Sequence, residues 1–289
     1  MHPTNPPVAC THWQTTRFLI DLSRPRVMGI VNVTPDSFSD GGQHDDPAAA
    51  LQHCEKLVRG GADLLDIGGE STRPGSAPVP LDLERHRVLP VLRAALTLGV
   101  PISVDTYKAE LMQDALDLGA DVINDVWALR QPGALQAVAG HPACGVVLMH
   151  MQGEPATMQR VPMACDDAPG AVACWLAARA NAVVGAGVAR VRIVLDPGIG
   201  FGKTIAQNYA LLAQQQRLLG LGSPILAGWS AKSSLGAVTG LDPQDRMVPS
   251  VAAALLAVER GARIVRVHDV ADTVAALAVW NAMQAEAVP

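Results

Sequence analysis

Short β-branched and apolar runs alternate along the chain with longer Ala/Leu-rich stretches whose apolar positions recur at helical spacing. The short runs fall at 27–33, 64–67, 102–104, 122–123, 146–149, 192–195, 225–227 and 264–267. The helical stretches fall at 47–59, 83–98, 108–118, 134–139, 168–186, 206–219, 249–260 and 271–284. The runs are continuously apolar, not alternating, which is the mark of strands buried on both faces in a parallel sheet covered by helices. Eight βα units in order predict the α/β class and a single (β/α)8 TIM barrel, in preference to two doubly wound halves. Gly60-Gly61-Ala62-Asp63, Gly119-Ala120-Asp121 and Gly261-Ala262-Arg263 read as turns from a helix end straight into the next strand. No linker or low-complexity tract divides the chain, and the Pro-containing run 151–167 reads as a loop over the barrel mouth. The expected division is an N-terminal extension, 1–26, followed by a barrel, 27–285.

A barrel of this kind puts its chemistry at the C-terminal ends of its strands. Reading only those ends collects Asn32, Asp36, Asp66, Thr72, Arg73, Pro74, Asp105, Asn124, Asp196, Lys232, Ser233, Arg266 and His268. Asp66, Asp105, Asn124 and Asp196 project from neighbouring strands into one bowl. Buried carboxylates need partners, and a guanidine-like heterocycle rich in N–H donors would satisfy them together. Arg73, Lys232, Arg266 and His268 bring cations to the same face and suit a phosphate or pyrophosphate. Asn32 adds a neutral oxygen of the kind a hydrated Mg2+ accepts beside a substrate phosphate. Met149 and Phe201 suit the apolar walls of a pocket for a flat ligand. Gly198-Ile199-Gly200-Phe201-Gly202-Lys203-Thr204 fails as a nucleotide phosphate loop, because the position five residues before Gly202 is Pro197.

Composition narrows the field further. The chain has 289 residues, 49% hydrophobic, enough to build one barrel of about 250 residues and too apolar for disorder. Lys+Arg 22 against Asp+Glu 27 gives a net charge of −5, which argues against a nucleic-acid partner, since a polyanion needs a basic field. The five cysteines are scattered, without a C-x-x-C pair, and read as reduced thiols of a cytoplasmic protein. The first residues lack a basic stretch followed by an apolar one, so no signal peptide is expected. The apolar runs fall far short of the ~20 residues that cross a bilayer, so no membrane partner is expected either.

Residues 28–42 (MGIVNVTPDSFSDGG) and 66–75 (DIGGESTRPG) resemble the two signatures of the dihydropteroate synthases, within the pterin-binding enzyme family. So do 103–106 (SVDT), 123–125 (IND), 148–153 (LMHMQG), 196–203 (DPGIGFGK) and 266–269 (RVHD), in order along nearly the whole barrel. The resemblance implies a transferase of folate biosynthesis that condenses 6-hydroxymethyl-7,8-dihydropterin pyrophosphate with 4-aminobenzoate, giving 7,8-dihydropteroate and pyrophosphate. It implies that Asp105, Asn124, Asp196 and Lys232 hold the pterin, with Arg266 packed against its ring and Met149 and Val267 beside it. Asn32, Arg266 and His268 resemble the site for pyrophosphate and Mg2+, with Asn32 the metal ligand. Thr72, Arg73, Pro74, Phe201 and Ser233 resemble the 4-aminobenzoate wall, where sulfonamides bind in the family. Asp36 belongs to the first loop and is implied, with Lys232, Arg73 and Arg266, in catalysis. A homodimer is a further implication.

One position departs from the pattern. The seventh-strand motif of the family usually reads Ser-Arg-Lys-Ser, and here it is Ser230-Ala231-Lys232-Ser233. Either the site is otherwise intact and the change is local variation, or activity or handling of the acidic aminobenzoate is altered. Two further functions stay open at this point: a pterin-binding paralogue with impaired turnover, and a pterin-dependent methyltransferase, which would need no pyrophosphate site.

Overall fold

In a computed structural model the described residues are 11–34, 47–71, 76–154, 158 and 162–286. Ten strands and nine α-helices are seen among them. Strands β1 (His12–Gln14) and β2 (Leu19–Asp21) form an antiparallel hairpin. The other eight are β3 (Arg26–Asn32), β4 (Leu64–Gly68), β5 (Ile102–Asp105), β6 (Val122–Asp125), β7 (Gly145–Met149), β8 (Ile193–Asp196), β9 (Leu226–Ala227) and β10 (Ile264–Val267). They pair in parallel in the order β8-β7-β6-β5-β4-β3-β10-β9. A bridge between Leu195 and Ile225 joins the two ends, so the sheet closes on itself as the expected (β/α)8 barrel.

The helices run outside it: α1 (Pro47–Arg59), α2 (Leu81–Ala95), α3 (Ala109–Leu118), α4 (Ala134–Gly140), α5 (Ala168–Gly185), α6 (Ile205–Ala213), α7 (Ser233–Thr239), α8 (Met247–Glu259) and α9 (Val270–Glu286). Their buried faces meet the outward side chains of the strands in one large apolar layer that includes Val31, Ile67, Val104, Ile123, Val146, Leu195 and Val265. The inward side chains make a second core of Met28, Leu64, Val122, Val147, Val194, Leu226 and Ile264. Side chains alternate along a strand with a period of two, so each strand serves both layers and reads as continuously apolar.

The sequence pattern missed the hairpin. Trp13, Ile20 and Leu22 from it join the inner core and stop the bottom of the barrel. The indole of Trp13 donates from Nε1 to the Arg192 carbonyl at 2.9 Å. It lies so close to Gly145 that a Cβ there would sit 3.0 Å from that nitrogen. The hairpin's short strands carry too few residues for a periodic signal, and their burial comes from the barrel floor.

Two helices end earlier than their apolar spacing suggests. The stretch 83–98 is α2 followed by a 3-10 turn at Leu96–Leu98, and the stretch 206–219 is α6 followed by a 3-10 turn at Gln215–Leu221. Helix α6 starts on a capping box: Thr204 Oγ1 accepts from the Gln207 N–H while the Gln207 side chain accepts from the Thr204 N–H. Gly61, Gly119 and Gly261 all have positive φ, as the expected helix-to-strand turns require. Helix α7 carried no sequence signal because it has only seven residues with Gly236 among them.

Candidate active site

Parallel pairing decides which residues face one another at the barrel mouth. In register, Asp105 stands opposite Asn124, and Met149 stands opposite Asp196. Arg266 reaches the same level from β10 and ties the acidic residues together. Its Nε donates to Asp66 Oδ2 at 2.6 Å and its Nη2 to Asp105 Oδ2 at 2.7 Å. Asn124 Nδ2 donates to the same oxygen of Asp66 at 2.9 Å. Asp66, Asp105, Asn124 and Arg266 therefore form one connected polar layer directly above the apolar plug. The bowl expected from the strand ends exists, and three of its four polar members lie in this network.

The fourth, Asp196, closes the far side. Its Oδ1 accepts from the Gly198 N–H at 2.6 Å. Lys232, ahead of α7, stretches back toward it with Nζ 4.4 Å from the centre of the Phe201 ring. Met149 and Phe201 pack with Val126, Met151 and Met158, and Tyr107 and Trp127 lie against that cluster. The acidic acceptors and this apolar cluster flank one candidate cleft at the barrel mouth. His268 is oriented by Ser230, whose Oγ lies 2.8 Å from Nδ1 and accepts the His268 N–H at 3.2 Å.

Burial drives the electrostatics. It pushes the Asp105 carboxyl up to about 7, against the opposing pull of Arg266 and with the help of Asp66, Glu84 and Asp125. Burial raises Asp196 as well, although the Gly198 N–H, Lys232 and Lys203 oppose it. Asp125 is pushed up to about 6 by burial, against the N–H groups of Trp127 and Leu129. Burial disfavours the charge of Arg266, but Asp66 and Asp105 outweigh it and raise its pKa. The network therefore holds a firmly charged guanidinium beside a carboxyl that can exchange its proton near neutral pH.

Some expected residues behave differently. The side chain of Val267 turns outward into the layer beneath the helices, because it is one residue on from the inward Arg266. Any contact it makes with a ligand comes from its backbone. Lys203 does not face the cleft: it is buried, and Nζ donates to the carbonyls of Gly198, Phe201 and His150 at 2.8, 3.1 and 3.2 Å. That geometry agrees with the failed phosphate-loop spacing. Ser233 opens α7, and Asn32 ends β3 half-buried at the mouth. Asp36, Thr72, Arg73 and Pro74 lie outside the described residues.

Sequence reasoning passed over the braces behind the site. Lys108 bridges Glu70, at 2.5 Å, and Glu84, and the Tyr107 hydroxyl donates to Glu70 at 2.9 Å. The Glu70 Oε2 accepts the Val79 N–H at 3.2 Å, so this cluster also joins Glu70 to Val79, nine residues further along the chain. Nothing in local spacing joins residues so far apart in the chain. Among the described residues no group of three or more His, Cys, Asp and Glu could by itself hold a metal ion. None of their helices is long and apolar enough to cross a membrane.

A family model of pterin binding enzymes matches residues 28–268. The dihydropteroate synthase of Neisseria meningitidis serogroup B is 50% identical over 277 residues, covering 94% of this chain and 97% of that protein. The solved Xanthomonas albilineans dihydropteroate synthase with 4-aminobenzoic acid is 53% identical, with a TM-score of 0.87 over 94% of this chain and 96% of that one. The Burkholderia cenocepacia dihydropteroate synthase complexed with 7,8-dihydropteroate is 52% identical, with a TM-score of 0.88 over 96% of this chain and 98% of that one.

Proposed function

The chain belongs to the pterin binding enzyme family, and on that footing we infer that it is a transferase working as a dihydropteroate synthase. It joins 6-hydroxymethyl-7,8-dihydropterin pyrophosphate to 4-aminobenzoate and releases pyrophosphate. The observation that carries this reading is the convergence of Asp105, Asn124, Asp196, Lys232 and Arg266 on one cleft at the strand C-termini, in a chain so close to proteins of that name.

The reaction breaks the bond between the pterin methylene carbon and the diphosphate oxygen and forms a bond from that carbon to the aniline nitrogen, which then loses a proton. The ionised carboxylates of Asp105 and Asp196, with the Asn124 amide, accept the N–H donors of the pterin. Arg266, locked in plane by Asp66 and Asp105, packs against the ring as positive charge develops on its conjugated methylene. Arg266, His268 and Arg73 supply cationic and N–H donors for the charge gathering on the departing diphosphate. Met149 and Phe201 exclude water beside the attacking amine, whose neutral nitrogen needs positioning more than activation. By resemblance to the family, Thr72, Pro74 and Ser233 bind the aminobenzoate, and Asp36 stabilises the cationic carbon electrostatically.

Mg2+ fits this scheme through donor chemistry. A hard cation that keeps several waters takes one or two protein oxygens and fills its shell from substrate phosphate. The Asn32 amide at the end of β3 offers such an oxygen. If held there by Asn32 and the substrate, Mg2+ would supply charge neutralisation to the diphosphate. The same reading proposes residues 1–26 as an extension to the barrel at 27–285, a cytoplasmic location, a homodimer and competition between sulfonamides and 4-aminobenzoate. Exposed Val238, Val248 and Leu256 on α7 and α8 support self-association, which sedimentation tests.

The deciding experiment supplies both substrates with Mg2+ and follows dihydropteroate and pyrophosphate. Product in equal amounts is expected; none at saturating concentrations would remove the synthase assignment. Ala231 favours a second reading, weakened turnover or altered aminobenzoate handling. Unchanged kinetics for both substrates in Ala231→Arg would dispose of it.

A further inference from the structure

We propose that Arg246 is a positioning residue for Lys232 and Ser233, because its guanidinium clamps helix α7 at both ends. The proposal rests on the reading of Lys232 as a pterin residue. Ala231 adopts a left-handed backbone with φ of 56°, which a non-glycine residue keeps only where its neighbours hold it. Both sides of its peptide are held from the start of α8. Its N–H donates to Ser250 Oγ at 2.9 Å, and its carbonyl accepts from Arg246 Nη1 at 3.2 Å. Ser250 in turn donates to the Arg246 carbonyl at 2.6 Å.

The other end of the guanidinium reaches past α7. Arg246 Nε donates to the Leu241 carbonyl at 3.0 Å, just beyond the last residue of the helix. Between these two anchors lies Gly236, and a Cβ there would collide with Nη2, Cζ and Nε of Arg246. The guanidinium thus lies flat along the bare backbone of α7. A seven-residue helix has too few hydrogen bonds to fix its own geometry, so its start, which carries Lys232 and Ser233, takes its place from this clamp. Where the family motif usually has an arginine side chain at 231, this chain brings a guanidinium to the backbone of the same residue.

The test compares Arg246→Met, Arg246→Lys, Gly236→Ala and the Arg246→Met/Gly236→Ala double variant with the unaltered chain, and Arg260→Met serves as a control for loss of one surface charge. KM for the dihydropterin pyrophosphate should rise about tenfold in Arg246→Met, with a smaller change in kcat and partial rescue in Arg246→Lys. Gly236→Ala displaces the guanidinium and should reproduce that defect, and the double variant should be no worse than Arg246→Met. Amide exchange across 229–241 should quicken in Arg246→Met while the strands keep their protection. Unchanged KM, additive effects in the double variant, or unchanged exchange would each overturn the proposal. A lower melting temperature with unaltered KM would also count against it. Exchange reads the clamp without turnover, so an unaltered chain that forms no dihydropteroate defeats the synthase reading alone.

Discussion

The guanidinium of Arg266 meets the carboxylate of Asp105 at 2.7 Å across the barrel mouth, although β10 and β5 are not neighbours in the sheet. The same guanidinium holds Asp66 at 2.6 Å. One residue therefore joins two buried acids while its own side chain stays 21% exposed.

Arg266→Met should leave Asp66 and Asp105 without their cation. Breaking a buried pair from one side costs about 3–5 kcal/mol, read by denaturant unfolding. Asp105 already sits near 7, and loss of Arg266 raises it further. A carboxyl whose folded pKa lies above its unfolded value takes up protons on folding, so its contribution is present at low pH and lost as pH rises. The deficit of the variant should therefore grow with pH; a deficit independent of pH would contradict this.

Pterin binding should weaken as pH falls through about 7, the value to which burial pushes Asp105 among Asp66, Arg266, Glu84 and Asp125. Protonation there removes an acceptor facing the pterin N–H groups. Calorimetric titration with the dihydropterin pyrophosphate checks it. Asp105→Asn should bind weakly at every pH, with a flatter profile that reports only the ligand's own titration. Asp105→Ala should lose the pterin while unfolding remains cooperative.

Lys203 is a test of the aminobenzoate wall. Its Nζ satisfies three carbonyls, including that of Phe201, and burial lowers its pKa to about 7. Lys203→Met should cost about 2–3 kcal/mol through unpaired buried carbonyls. It should raise KM for 4-aminobenzoate more than KM for the pterin substrate. Equal effects on both would show that the lysine does not act through Phe201.

Ala231 predicts a stability order. Left-handed backbone costs an L-residue roughly 1–2 kcal/mol, and β-branching makes it worse. Ala231→Gly should melt no lower than the unaltered chain, and Ala231→Val should melt below both. A Val variant as stable as the Gly variant would mean that the positive φ of 56° carries no strain.

The sequence by itself determined the barrel and the list of polar residues at its mouth. Burial on both faces writes a continuous apolar run for each strand, and the direction of a parallel strand says which end bears chemistry. Asp105, Asn124, Asp196, Lys232 and Arg266 were legible on that ground alone. Tertiary structure decided how they are used. Arg266 and Asp66 are 200 residues apart in the chain, and only closure of the barrel brings them into contact. The side chain of Val267 packs under the helices while that of its neighbour Arg266 points to the mouth, because side chains alternate along a strand with a period of two. Lys203 belongs to a glycine-rich motif, but its ammonium turns back onto two carbonyls of its own loop and reaches that of His150 after another strand. The hairpin, α7 and its clamp by Arg246 left no periodic trace, since short elements gain their stability from the surfaces that cover them.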